Sequence, residues 1–181
     1  ARGNAWNGLS VGGGATNNTI GGTAAGAGNV FSGNLDSGIN IINPGTSGNV
    51  VLGNVIGLNA TQRAAIGNVG QGLWIGVGAS GNTIGGTAAG TANIVSGNGY
   101  AGIVVFGSDS IGNRIVGNII GSDASGTGNF GNDRGVALVA GANNNVVGGQ
   151  IPGLKAVADG YSKEELKEKI MKGVPVSAKD D

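Results

Sequence analysis

The sequence contains no cysteine and no histidine, and aromatic residues make up only 4% of its 181 residues. Without cysteine there are no disulfide bonds, no cysteine-ligated metals and no thiol chemistry. Without histidine the chain lacks the commonest general base and metal ligand of proteins. Because aromatic side chains are so few, we expect a hydrophobic core that is built from small aliphatic residues.

Charged residues are also scarce, at 11% of the chain with a net charge of zero, and they are unevenly distributed. Residues 1–150 contain four Arg, four Asp and no Lys or Glu, whereas residues 151–181 contain six Lys and six acidic residues. The composition therefore predicts a first domain, residues 1–150, and a charged tail, residues 151–181. The first domain has no basic face for nucleic acid. No apolar run approaches the ~20 residues of a membrane span, so we expect neither partner.

Glycine, by contrast, is abundant at 41 residues, and it accompanies an internal repeat. The segment Asn-Thr-Ile-Gly-Gly-Thr-Ala-Ala-Gly occurs at 18–26 and again at 82–90. One asparagine opens each unit, and these marker residues recur every 31–33 positions. The markers are Asn18, Asn49, Asn82, Asn113 and Asn145. A constant period of this length is typical of stacked repeat architectures.

Each unit contains three short apolar stretches that are separated by Gly and Asn. Stretches this short predict strands rather than helices, and Gly and Asn favour turns. The fold class predicted is all-β, a right-handed single-stranded parallel β-helix with three short strands per coil and four to five coils within residues 1–150. Equivalent inward-facing residues should stack as columns. One predicted column is Ile20, Val51, Ile84, Ile115 and Val147, and another is Ile39, Leu73, Ile103 and Val136.

The facing of the second stretch stays open, because both of its residues are apolar in every unit. Two asparagine columns are predicted to form side-chain ladders along the coil axis. They are Asn29, Asn54, Asn93 and Asn118, and Asn34, Asn68, Asn98 and Asn132. Longer loops alternate between two positions, at 22–28 and 86–92 and at 58–66 and 122–130, so loops of one kind should project from the same side.

The repeat, with units of the form NTIGGT…GN[VI][IVF]SGN…GI, resembles the pectate-lyase-like superfamily over residues 4–149, and more narrowly the Asn/Gly-rich repeats of bacterial secreted or surface proteins. The resemblance implies an extracellular or cell-surface location. The same fold carries enzymes, adhesins and inert stalks. We expect a structural or adhesive segment, either a fragment of a larger protein or a protomer that stacks end to end into a filament. The alternative is a β-helix that binds or cleaves polysaccharide.

Lyases of the superfamily use clustered aspartates to hold Ca²⁺ and a basic residue to abstract a proton. The residues available for such a role are Asp109, Arg114, Asp123, Asp133 and Arg134. They form no paired-acid motif, and surface solvation is the simpler interpretation. We therefore expect no catalytic residue and no metal site, with Ca²⁺ as the cofactor if a lyase activity exists.

Three aromatic residues, Trp6, Trp74 and Tyr100, are candidates for carbohydrate binding, because exposed rings on one face can stack on sugars. Trp6 and Tyr100 occupy the same repeat position, and Arg134 is assigned to that position in the last coil. The alternative is that these rings cover neighbouring loops.

In the tail, Ser162 and Glu165 form a capping box that predicts a helix over 163–172. Gly173 stands where a C-cap glycine belongs, and we expect this helix to cover an open end of the coils. The segment from Pro152 to Pro175 also resembles part of a c-type cytochrome domain. It contains no Cys-x-x-Cys-His motif, so we expect no attached haem.

Overall fold

The computed structural model describes residues 3–148, and the tail with its predicted helix at 163–172 lies outside the described residues. The described chain is an all-β parallel solenoid of about 4 turns with three strands in each coil. The strands are β1 (Leu9–Val11), β2 (Thr19–Gly21), β3 (Val30–Phe31), β4 (Ile39–Ile42), β5 (Val50–Leu52), β6 (Val55–Ile56), β7 (Leu73–Gly76), β8 (Thr83–Gly85), β9 (Ile94–Val95), β10 (Ala101–Phe106), β11 (Arg114–Val116), β12 (Ile119–Ile120), β13 (Arg134–Val139) and β14 (Val146–Val147).

The strands form three parallel sheets that run along the axis. Sheet 1 has the order β1-β4-β7-β10-β13, sheet 2 the order β2-β5-β8-β11-β14, and sheet 3 the order β3-β6-β9-β12. In sheet 2, Ile84 pairs with Val51 on one side and with Ile115 on the other. In sheet 1, Leu73 pairs with Ile39 and Ile103 in the same way. All six of these residues are buried in the core, so both predicted inward columns are confirmed, and the repeat period corresponds to one coil.

The core lies between the three sheets and consists of aliphatic side chains with Phe31 as its aromatic contribution. The structure decides the facing of the second stretch, which the sequence left open. Its second residues point inward, as Ile56 and Val95 belong to the core. Its first residues, such as Val30 and Val55, consequently lie on the outer side of sheet 3.

Three asparagine ladders run along the solenoid, two as predicted and a third through the marker residues. At each step, one asparagine donates from its backbone N and from its Nδ2 to the Oδ1 of the asparagine one coil further on. Between Asn49 and Asn82 both distances are 3.0 Å. The interior asparagines are buried. An unpaired buried polar group costs about 1–3 kcal/mol. Each buried amide that is hydrogen-bonded in the ladder avoids that cost.

The marker asparagines themselves do not adopt left-handed backbone conformations. The residue before each marker does. Gly48, Gly81 and Gly112 have φ between 64° and 68°, and where glycine is missing, Asn17 and Asn144 have φ of 58° and 54°. Asparagine is among the few non-glycine residues that tolerate this region. The Gly-Asn and Asn-Asn pairs of the repeat thus combine a turn residue with a ladder residue.

A column of glycines precedes the strands of sheet 1, and space explains it. A Cβ on Gly72 would lie 2.6 Å from the Gly102 carbonyl oxygen and 2.8 Å from Nδ2 of Asn98. We expect Gly72→Ala to lower the free energy of unfolding by about 1–3 kcal/mol through overpacking, measured by urea denaturation. Gly131→Ala is the matched control, since a Cβ there meets no atom within 4 Å. Equal stability of the two variants would contradict the close approach.

The alternating loops contact their equivalents two coils away. In one pair, a Cβ on Gly90 would lie 2.9 Å from the carbonyl oxygen of Thr23, so loops 22–28 and 86–92 touch. In the other pair, the backbone N of Ala124 donates to Oε1 of Gln62 at 3.2 Å. Loops of one kind therefore lie on the same side of the solenoid, as the alternation of the repeat predicts.

Candidate functional site

The outer side of sheet 1 carries a small apolar cluster that is separate from the core. It consists of Ala101, Val104 and Ala137, with Trp74 and Val139 packed against them. Val104 is only 4% exposed although it alternates with the core residues Ile103 and Val105. We call this group the outer cluster. Outward-facing strand residues are usually half solvated, so a cluster of this kind is a candidate for a binding surface.

Trp74 forms the aromatic part of the outer cluster. Its ring packs edge-on against Phe106, with centroids 6.1 Å apart and an interplanar angle of 76°. The indole also lies over Gly76, where a Cβ would be 3.0 Å from Nε1. Phe106 was not among the predicted site residues. The signal that could have found it is the continuation of period two, since Phe106 follows Val104 by two positions in the same strand.

Asn40 lies beside Trp74, its partner in the register between β4 and β7. The residue is 5% exposed, and its Oδ1 has no hydrogen-bond partner among residues 3–148. A buried carbonyl oxygen without a donor is costly. Because every interior ladder asparagine is satisfied, Asn40 stands out as an amide with an unused acceptor at the edge of the aromatic side chain.

Tyr100 contacts Arg134 at the beginning of β13. The Arg134 guanidinium lies 5.1 Å from the centre of the Tyr100 ring, and its Nη1 donates to the tyrosine hydroxyl at 2.9 Å. Arg134 also forms an exposed ion pair with Asp133, at 3.8 Å. The register pairs Arg134 with Ala101, so the residue equivalent to Tyr100 is Asp133. The alignment of Arg134 with the Trp6 and Tyr100 position was therefore wrong by one residue.

The three aromatic candidates are not brought together on one platform. Trp6, which is 75% exposed, precedes β1 in the first coil. Tyr100 precedes β10, three strands further along sheet 1, and one face of its ring is next to Arg134. Trp74 lies within β7, in contact with Phe106. Of the three, Trp74 is the one that the fold places in the outer cluster.

The charged candidates are distributed around the solenoid. Asp109 lies in the turn after β10, and Arg114 is the exposed first residue of β11 in sheet 2. Asp123 lies in loop 122–130, between β12 and β13. Only Asp133 and Arg134 are joined by an ion pair within residues 3–148. Over the same range, no group of three or more acidic residues is arranged to hold a metal ion.

Asp123 organises its own loop. The Ser125 hydroxyl donates to Asp123 Oδ1 at 2.6 Å, and the backbone N of Ser125 and of Gly128 donate to the same oxygen at 3.0 and 3.3 Å. The hydrogen bond from the Ser125 side chain lowers the pKa of Asp123 most, and partial desolvation opposes it. Backbone donors of Gly128, Ser125 and Thr127 lower the pKa further. The carboxylate thus serves as a loop-ordering acceptor.

This arrangement predicts a pH dependence of the loop. A carboxyl group with a lowered pKa stabilises the folded loop above its ordinary pKa, and that contribution is lost as the pH falls through the lowered value. We expect the Asp123 carboxyl resonance to titrate below the ordinary aspartate pKa, and Ser125→Ala to raise the midpoint. Carbon-detected NMR measures both. The same midpoint in the two proteins would contradict the role of Ser125.

Within the described part of the chain, the structure contains no helix long and apolar enough to cross a membrane. Comparisons with protein-family models, with curated proteins and with solved structures found no match. The structure therefore establishes the fold of this chain. This chain contains a parallel β-solenoid with three sheets and asparagine ladders.

Proposed function

We propose that this chain is a structural or adhesive segment of an extracellular or cell-surface protein. The observation that carries the proposal is the continuity of the three ladders. Each ladder is hydrogen-bonded at every step from its first asparagine to its last. By the resemblance to bacterial secreted and surface repeats, we take the coils to be right-handed and the protein to be bacterial.

The physical argument is one of uniform rigidity. Within the four complete coils, each coil contacts the next through three strand pairings and three asparagine steps, so none of these contacts is weaker than the others by the number of its pairings. Stability in stacked repeats is approximately the sum of such nearest-neighbour terms. The ionisable side chains that a reaction would need are scattered over separate turns and loops. A uniform prism with a sparsely charged surface suits a spacer or a surface-presenting scaffold.

Amide hydrogen exchange tests the scaffold role. We expect slow exchange of similar magnitude in the interior strands β4 to β11, because opening any of them breaks pairings on both sides. We also expect no release of unsaturated products from pectin or alginate, with or without Ca²⁺. Turnover that disappears in Asp123→Ala or Arg134→Ala would contradict the proposal, as would one interior coil that exchanges rapidly.

Polysaccharide binding is the second candidate function, and the pair formed by Trp74 and Asn40 favours it. An indole can stack on the CH face of a pyranose. The Asn40 Oδ1, which is unpaired among the described residues, can accept a hydrogen bond from a sugar hydroxyl. Trp74 lies between the other two residues in the register, next to Asn40 on one side and next to the apolar Val104 on the other. A sugar ring presents an apolar face and hydroxyl donors together, which matches this combination.

Affinity electrophoresis in gels that contain pectin or alginate distinguishes this candidate. Binding at the outer cluster predicts retardation of the parent protein that is lost in Trp74→Ala and retained in Trp6→Ala, because Trp6 lies in a different coil. Loss in Trp6→Ala with retention in Trp74→Ala would place binding elsewhere. Equal mobility of all three proteins with and without polysaccharide would exclude it.

A further inference from the structure

Gly76 provides the space that the Trp74 indole occupies. In the register of sheet 1, Gly76 lies between Ile42 of β4 and Phe106 of β10. The three atoms nearest to a Cβ on Gly76 all belong to the indole, at 3.0, 3.1 and 3.2 Å. The indole therefore lies in a gap between two apolar side chains, where it stays half-buried. Because Phe106 is itself 43% exposed, this apolar surface faces solvent.

Val77, the residue after Gly76, has a backbone conformation that valine rarely adopts. Its φ is 54°, in the left-handed region, where a β-branched residue is an outlier. The residues at the equivalent position of the neighbouring coils are Asn43 and Gly107, which tolerate this region. Val77 is 49% exposed, so burial in the core does not explain the choice of valine. Strain that the core does not require indicates a functional contact on the outside.

The charged residues that flank β4 and β10 are acidic. Asp36 lies shortly before β4, and Asp109 lies in the turn after β10. The outward-facing residues of β4, β7 and β10 are uncharged. The cationic side chains of residues 3–148 are Arg63 in loop 58–66, Arg114 in sheet 2, and Arg134, which is paired with Asp133. Within the described residues, the surface around the indole therefore offers a carboxylate no free cation.

We propose that Trp74 stacks on an uncharged pyranose ring of a polysaccharide and that the surface around it discriminates against uronate sugars. The Asn40 Oδ1, unpaired among the described residues, accepts a hydrogen bond from a sugar hydroxyl. Phe106 and Val77 contact the apolar edges of the ring. This inference rests on the polysaccharide-binding candidate above, and it names the class of sugar that is bound.

The discrimination follows from desolvation. A ring that stacks on the indole exchanges water for contacts with aromatic and aliphatic side chains. An uncharged sugar loses hydroxyl hydration there and regains a hydrogen bond from Asn40. A uronate would bring its carboxylate next to apolar groups without a cation to pair with, which is costly. The flanking carboxylates of Asp36 and Asp109 add repulsion.

Fluorescence titration of Trp6→Phe tests the sugar class, because Trp74 is then the one tryptophan of the full chain. The uncharged probes are cello-oligosaccharides and methyl-esterified oligogalacturonides. The charged probe is the same oligogalacturonides after saponification, with a chelator present to remove Ca²⁺. We expect at least one uncharged probe to change the Trp74 emission saturably, with a Kd at least about tenfold below that of the charged probe.

The outcomes separate this inference from the candidate function on which it rests. A charged probe that binds as tightly as the uncharged ones overturns the inference and leaves the polysaccharide-binding candidate standing. The absence of binding by every uncharged probe also overturns the inference, and the electrophoresis described above then decides the candidate by itself.

Gly76→Val, made in the Trp6→Phe protein, tests the place of binding. The added side chain would occupy the space of the indole, so we expect the affinity for the uncharged probe to fall at least about tenfold. Gly131→Val is the matched control, since a Cβ there meets no atom within 4 Å, and it should bind like the Trp6→Phe protein. Circular dichroism verifies that both variants fold. Undiminished affinity in Gly76→Val overturns the inference.

Val77→Asn separates binding from stability. Asparagine occupies the equivalent position at Asn43 with a φ of 78°, so the substitution should relieve backbone strain and raise the urea midpoint. It also removes the apolar contact with the sugar, so the affinity should fall at least about threefold. A purely structural residue would not move the two measurements in opposite directions. Unchanged affinity in Val77→Asn would contradict the contact between Val77 and the sugar.

Discussion

Ile84→Asp is expected to lower the free energy of unfolding by more than about 4 kcal/mol, or to prevent folding altogether. Ile84 is fully buried at the centre of the core and stacks between Val51 and Ile115. Among the described residues, the core around the Ile84 side chain consists of aliphatic residues and Phe31, whose side chains can neither donate a hydrogen bond to a carboxylate nor pair with its charge. The buried aspartate would have to be protonated or the coil would have to open.

Thr83→Asp is the matched control for this substitution. Thr83 is the preceding residue in the same strand, and its side chain lies on the outer, partly exposed side of sheet 2. We expect a change within about 1 kcal/mol there, as for most surface substitutions. Urea denaturation followed by circular dichroism compares the two variants with the parent. If Ile84→Asp unfolds at the same urea concentration as the parent, the inward register described above is incorrect.

Asn82→Ala is expected to cost about 3 kcal/mol or more, because it removes the central residue of a buried ladder. The Asn82 Oδ1 accepts from the backbone N and Nδ2 of Asn49, and its Nδ2 donates to the Thr46 and Ser80 carbonyls and to Asn113. After the substitution, several buried donors and acceptors in adjacent coils would be unpaired. Hydrogen exchange should show the loss as faster opening of the coils on both sides.

Asn18→Ala is the comparison at the end of the same ladder. Asn18 is exposed, and it donates to Asn49 without receiving a ladder hydrogen bond from the described residues. Its replacement leaves the backbone donor to Asn49 in place, so we expect a loss well below that of Asn82→Ala. Equal losses in the two variants would contradict cooperative satisfaction within the ladder.

The repeat by itself determined the strand positions, the inward columns and two of the ladders. Its period decides which residues are equivalent in successive coils, and parallel pairing of equivalents follows once the chain winds regularly. The third ladder was missed because its residues served as markers of the repeat. The same interior burial and the same donor–acceptor geometry apply to Asn49, Asn82 and Asn113 as to the predicted columns.

The candidate site was less predictable. Trp74 could be placed on the outer face from alternation alone. Its packing against Phe106 required the actual length of β10, which extends beyond the predicted triplet to Ala101–Phe106. The contact between Tyr100 and Arg134 joins adjacent coils through long side chains. The sequence alignment placed Arg134 one residue out of register, so Asp133 was not recognised as the equivalent of Tyr100.

What the sequence determined is everything that follows from periodicity, namely the number of strands per coil, their order and the stacking of like residues. Tertiary structure alone decided which residue of each two-residue strand in sheet 3 faces inward. A stretch such as Val55-Ile56 is apolar at both positions and too short to show alternation, so only the closure of the coil selects Ile56 for the core. Tertiary structure also decided the common direction of the ladders, in which each asparagine donates to the asparagine one coil further on. An amide side chain can donate in either direction until the backbone N–H beside it is oriented by the turn.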